Sequence, residues 1–136
     1  MMKLNAPKID PELLINDILE TDIGTIYFYD HIVVMEAKED SLLSIRTGLS
    51  ILLNCVKIIG TQPVVYISNR INNYAVDPND YKFLELVPNL KGIAVVSYSP
   101  TAFATSKLEA RFFRKPFRTF MNMADATKWA HQLLQA

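Results

Sequence analysis

The chain holds one cysteine in 136 residues. That excludes an internal disulfide, and with it the stapled architecture of small secreted domains, and points to a reducing, cytoplasmic setting. Glycines number only four, and none of the patterns G-x-x-x-x-G-K-[ST], G-x-G-x-x-G or G-x-S-x-G occurs. A backbone cradle for phosphate or a nucleophile elbow is therefore not expected. The two histidines, His31 and His131, lie far apart with no Cys or carboxylate at ligand spacing. No metal site and no cofactor are expected from them. Fourteen bases balance fourteen acids, which lacks the strongly basic character of a nucleic-acid-binding domain. No apolar run nears the ~20 residues of a membrane span. Asp10, Glu12 and Asp17 interrupt the N-terminal region before a basic-then-apolar leader can form, so no integral membrane association is expected.

What is present is the composition of a folded protein, 50% apolar and 21% charged. The length suits one domain, with roughly 70% of the unfolded surface buried. We divide it into an N-terminal tail with a short helix or strand over 1–20 and a single α/β domain over 21–136. Charge is uneven: residues 1–50 carry nine acids and four bases, and residues 51–136 carry five acids and ten bases. Such asymmetry steers a partner or drives head-to-tail association, or it has no consequence once the halves interleave.

Along the chain, Asp10-Pro11-Glu12 has the form of a helix start. The apolar residues that follow, to Leu19, fit a helix or a strand equally. Thr25 to Tyr29 and His31 to Met35 read as an antiparallel hairpin turning at Asp30-His31, with Gly24 marking a bend at its start. Leu42, Ile45, Leu49, Leu52, Leu53, Val56 and Ile59 recur at steps of three and four and predict a helix over 41–59, capped by Asp40 or Ser41 and closed by Gly60. Val64 to Ser68 and Gly92 to Tyr98 are apolar runs suited to strands covered on both faces. Asp77-Pro78 and Ser99-Pro100 are cap-then-proline pairs, predicting helices to about Val87 and Arg114. Phe117 to Met121 forms a last strand. Asn122 with Asp125 starts a final helix burying Ala126, Trp129, Ala130 and Leu133. The order ββαβαβαβα implies a mixed sheet, opened by a hairpin and continued by parallel crossovers.

The order and lengths resemble the STAS superfamily, and more closely the small stand-alone SpoIIAA-like (STAS/SEC14-like) bacterial proteins of uncharacterised function. The resemblance covers about Ile23 to Leu134. It rests on VVYISNRINNYAVDPNDY (Val64 to Tyr81), GIAVVS (Gly92 to Ser97) and KPFRTFMNMADATKW (Lys115 to Trp129). It implies the SpoIIAA-like fold and a role in binding or regulation rather than catalysis. In anti-sigma-factor antagonists of this fold a phosphorylatable serine stands at a helix N-terminus after the central strand. The matching stretch here is Asp77-Pro78-Asn79-Asp80, with two acids and no Ser or Thr. Added phosphate would be repelled, so no serine phosphoswitch is expected. Ser68 and Ser99 are the nearest hydroxyls, and neither matches the motif.

Three functional classes follow. The first is a non-enzymatic protein-interaction or regulatory module with an unidentified protein partner or a second copy of the chain. Its contact surface would be the loop after the central strand: Asn69, Arg70, Asn72, Asn73, Tyr74, Asp77, Asp80 and Tyr81. This loop leaves the carboxyl end of a strand, where open sheets bind ligands. Equally, the asparagines serve to turn the chain, Arg70 pairs with Asp77 or Asp80, and Tyr74 packs below. Lys107, Arg111 and Arg114, at steps of four and three, form a basic patch on one helical face, either for an acidic partner or as a solvated surface. The second class is a carrier of a small apolar ligand, held between the long helix and the sheet by residues such as Leu49, Val56, Phe83 and Phe103. A cavity of at least ~300 Å³ favours it; otherwise those residues fill the core. An enzyme ranks third, because no nucleophile, base and acid can be assembled. Cys55, near the C-terminal end of a helix, lacks the cation or helix N-terminus that activates a thiol.

Overall fold

The computed structural model describes residues 15–136. The helix start expected at Asp10-Pro11-Glu12 and the loose tail before it lie outside the described residues. Eight strands and four helices follow: β1 (Asp17–Thr21), β2 (Gly24–Phe28), β3 (Ile32–Ala37), β4 (Leu42–Leu43), α1 (Ile45–Ile59), β5 (Val64–Arg70), β6 (Ala75–Val76), α2 (Tyr81–Leu84), β7 (Leu90–Ser97), α3 (Pro100–Lys107), β8 (Phe117–Phe120) and α4 (Met123–Gln135). Single 3₁₀ turns precede α2 (Pro78–Asp80) and follow α3 (Leu108–Phe112). The segment left open between helix and strand becomes β1, which runs across the boundary drawn at residue 20.

Six strands form one sheet in the order β1-β2-β3-β5-β7-β8. β1, β2 and β3 pair antiparallel, and β3, β5, β7 and β8 pair parallel. The opening hairpin and parallel crossovers read from the sequence are present, with β1 added at the edge. Gly24 begins β2 because a Cβ there would stand 2.5 Å from the carbonyl oxygen of Glu36 and 2.7 Å from the Cα of Ala37.

The two-residue period of the strands divides the core. On one face Ile26, Phe28, Val33, Met35, Ile93 and Val95 meet α1, α2, Phe113 and Phe117. On the other, Tyr27, Val34, Val65, Ile67, Ala94 and Val96 meet α4 through Ala126, Ala130 and Trp129. The α4 side is closely packed: Gly92 faces it, and an added Cβ would stand 2.6 Å from the Leu133 side chain. The α1 side is looser, and no residue of α1 is buried.

Several predicted boundaries shift. The long helix begins at Ile45 instead of Ser41, because Ser44 and Thr47 form a reciprocal capping box. Asp40, expected to cap it, has a φ of 62° and occupies a turn. Leu42–Leu43 instead pairs parallel with β6 as a small second sheet. β5 runs on to Arg70, so the expected loop begins two residues late. The Asp77-Pro78 start does cap, with the Asp77 side chain accepting from the Asn79 N–H, but it launches a 3₁₀ turn and a four-residue helix. The helix begun at Ser99-Pro100 ends at Lys107, short of Arg114. Asn122 and Asp125 cap α4 as expected.

Candidate functional site

The site lies where β5 ends, on the α1 face of the sheet. Alternation along β5 sends Tyr66, Ser68 and Arg70 toward α1 and Ile67 and Asn69 toward α4. Arg70 is part-buried and meets Glu109 from the 3₁₀ turn after α3. Its two terminal nitrogens donate to the two carboxylate oxygens at 2.6 and 2.7 Å. The fork geometry of guanidinium and carboxylate makes this the strong, bidentate form of ion pair. Tyr81 adds a phenol that donates to Glu109 at 2.5 Å, and Arg70 donates to the Tyr81 oxygen at 3.3 Å. The Arg70 Nε reaches Ser68 Oγ at 3.2 Å, and Ser68 shares a hydrogen bond of 2.8 Å with the Tyr74 hydroxyl. Tyr81 also packs edge-on against Phe117, with ring centroids 5.5 Å apart.

Burial is the largest single influence and disfavours the Arg70 charge, but the hydrogen bonds it donates to Glu109, together with the interactions with Tyr74, Tyr81 and the Glu109 charge, outweigh burial and hold the guanidinium firmly protonated. Burial raises the phenol pKa of Tyr81, and the nearby Glu109 charge raises it further. Tyr74 is raised by burial against the opposing influence of Arg70. These phenols stay protonated across neutral pH.

Beside this network an apolar cavity of about 200 Å³ opens between α1 and the sheet. Ile26, Val33, Met35 and Val64 form its floor; Gly48, Ile51, Leu52, Cys55, Val56 and Ile59 of α1 form its roof. Phe83, Leu84 and Val87 close one side, and Tyr66, Ser68, Arg70, Asp77, Asp80 and Tyr81 supply its polar end. Two of the α1 residues at the cavity, Gly48 and Cys55, are small, and a Cβ added at Gly48 meets nothing within 4 Å. Burial pushes the Cys55 thiol up to about 11, so it is protonated near neutrality. Of the residues expected to line such a pocket, Val56 and Phe83 do so. Leu49 is instead 49% exposed on the outer side of α1, and Phe103 stands on α3, away from the cavity.

The post-strand loop does not form one exposed polar surface. Asn69 and Tyr81 are 3% and 6% exposed. Asn69 faces the side opposite Arg70, donating to Glu36 at 2.8 Å and accepting from the Tyr98 hydroxyl at 2.6 Å. Arg70 pairs with Glu109 and with neither Asp77 nor Asp80. Asn72 donates to the Ala37 carbonyl, and the backbone of Asn73 bonds to Glu39 and Asp40. The loop thereby ties β5 to the end of β3 through long-range bonds, rather than through the local side-chain turns expected of its asparagines. Ser68 is 2% exposed and committed to its partners, and Ser99 caps α3 by accepting from the Ala102 N–H.

Lys107, Arg111 and Arg114 are all exposed but do not share one helical face. α3 ends at Lys107, the next five residues follow the tighter 3₁₀ path, and Phe113 is extended, so steps of four and three no longer stack. Glu109, the acid within this basic stretch, turns inward. Its position between Lys107 and Arg111 is the one sequence signal that set it apart. Among the described residues no group of His, Cys, Asp and Glu side chains is arranged to hold a metal, and no helix is long and apolar enough to cross a membrane.

No protein-family model and no curated protein matches the sequence. The structure is similar to that of an uncharacterised DUF3478-family protein with a SpoIIAA-like fold from Shewanella loihica PV-4. The match has 15% identity and a TM-score of 0.50, and covers 87% of this chain and 93% of that one. The chain has the SpoIIAA-like fold that its motifs resemble.

Proposed function

We propose that the protein is a non-catalytic binding module that holds a small apolar molecule in the cavity between α1 and the sheet. The observation that carries this reading is the contrast between the two faces of one sheet. α4 buries Ala126, Thr127 and Ala130 against the sheet, while α1 buries no residue and leaves about 200 Å³ lined almost wholly by carbon. Interiors are normally packed to crystal density, so an apolar cleft of this size, partly open to solvent, leaves apolar surface that a ligand would cover. At about 200 Å³ the cavity does not reach the ~300 Å³ expected of a carrier of drug-sized ligands, but it exceeds the ~150 Å³ that suffices for benzene in an engineered cavity. The occupant is therefore about the size of one substituted ring or a short branched chain.

A non-catalytic role fits the chemistry of the polar end. Its arginine is neutralised by Glu109 and its phenols are held protonated, while the Cys55 thiol in the roof has a raised pKa. None of these is poised to exchange a proton near neutrality. The protein-interaction reading that names the post-strand loop is not favoured, because Asn69, Arg70 and Tyr81 are spent on internal contacts.

Saturation-transfer NMR with toluene tests the reading. Toluene should bind the wild-type chain. Gly48→Leu, which puts a side chain into open space under α1, should abolish the signal while the thermal melt stays cooperative. Absence of toluene binding to the wild type, or undiminished binding to Gly48→Leu, would overturn it.

A further inference from the structure

Two features facing the cavity would ordinarily attract an anion: the Arg70 guanidinium, and the N-terminus of the fifteen-residue helix α1. Each already carries a carboxylate from the chain itself. Glu109 takes both terminal nitrogens of Arg70. Asp80 reaches across from the turn before α2 and accepts the first N–H of α1, at Ile45, at 2.9 Å. Asp77 lines the same end, occupied with the Asn79 N–H at 3.1 Å. Among the described residues Arg70 is the one basic side chain that lines the cavity. With its charge cancelled by Glu109, the polar end keeps an excess of negative charge.

On the reading above, we infer that the cavity selects by charge: it takes uncharged compact molecules and rejects carboxylates and phosphates of the same size. A carboxylate ligand faces two routes, both unfavourable. If it displaces Glu109 from Arg70, it strands an acid that is only 13% exposed and must compete with a tethered partner already in place. If it leaves Glu109 in place, its charge sits near Asp77 and Asp80 in apolar surroundings with no free cation. A neutral hydroxyl or carbonyl meets neither obstacle. Glu109 and Asp80 are thus specificity-determining residues: they hold the place that an anionic ligand would otherwise take.

Benzyl alcohol and benzoate share a ring and nearly a shape, and differ in charge at pH 7. Titration calorimetry of the full chain, with toluene as the apolar reference, should give toluene and benzyl alcohol similar affinities and benzoate one at least tenfold weaker. Glu109→Gln removes the internal anion and leaves Arg70 unneutralised. It should tighten benzoate at least tenfold with little change for toluene, whose binding also reports that the variant is folded. Should Glu109→Gln fail to fold, Asp80→Asn is expected to shift benzoate in the same direction. Benzoate binding the wild type as tightly as benzyl alcohol, while toluene binds, would overturn the charge selection and leave the ligand-binding reading standing. A folded Glu109→Gln with unchanged discrimination would also overturn it. Failure of all three probes to bind the wild type would remove both.

Discussion

Arg70 and Glu109 lie 39 residues apart in the chain and meet as a bidentate pair with both side chains about nine-tenths covered. The pair joins the last residue of the central strand β5 to the 3₁₀ turn after α3, and so pins the cavity's polar end to the rest of the fold. Removing one partner leaves a buried charge alone. Glu109→Ala should therefore destabilise the protein by roughly 3–5 kcal/mol. The double variant Arg70→Met/Glu109→Leu should recover much of that loss, since an apolar pair of similar volume avoids the stranded charge. Urea denaturation of the three proteins checks both statements; additive losses in the double variant would contradict the coupling.

Gly48 lies on the cavity side of α1 with open space where a side chain would grow. Gly48→Ala should stabilise the protein by up to ~1 kcal/mol, through the higher helix propensity of alanine. The rise would appear as a higher midpoint in the same urea titration.

Gly24 is the opposite case. A Cβ there would press on the Glu36 and Ala37 backbone, which cannot swing aside as a side chain can. Gly24→Ala should cost roughly 1–3 kcal/mol by forcing β2 and β3 apart. Faster hydrogen exchange at the β2–β3 pairs, with β7 and β8 unaffected, would locate the damage.

Cys55 gives a pH signature. Burial raises its pKa from 9.0 to about 11. A thiol raised on folding contributes stability that is fully present below its unfolded pKa and is lost as pH rises through the folded one. The Cys55 contribution should therefore hold below about pH 9 and fade toward pH 11. At pH 8 its thiolate fraction is about a hundredfold below that of the unfolded chain, so alkylation by iodoacetamide should be slowed to match. Toluene in the cavity should slow it further, because Cys55 lines the wall. Alkylation as fast in the folded as in the unfolded protein would contradict the placement.

Much of the fold is legible in the sequence because it rests on local rules. The apolar runs at Val64 and Gly92 can only be covered strands. Ser99-Pro100, Asn122 with Asp125, and Asp77-Pro78 mark starts through side-chain caps that act within three residues. Helix ends are less legible. The helix begun at Pro100 gives way to a 3₁₀ turn after Lys107, where Glu109 is drawn inward to Arg70, a contact that helix propensity does not encode. The capping choice of Ser44 over Ser41 depends on Leu42–Leu43 pairing with β6, residues more than thirty positions away.

The amino-acid order by itself determined the class of architecture, through strand runs, cap-then-proline pairs and the long amphipathic stretch that became α1. That Asn69 and Arg70 face opposite sides followed only from β5 running on to Arg70, past the strand end expected at Ser68. Only the tertiary structure decided that Arg70 pairs with Glu109, that Asp80 occupies the start of α1, and that α1 leaves a cavity against the sheet. Propensity and periodicity act over a few residues and specify which face is apolar. The gap between two apolar faces depends on how side chains from distant segments fill it.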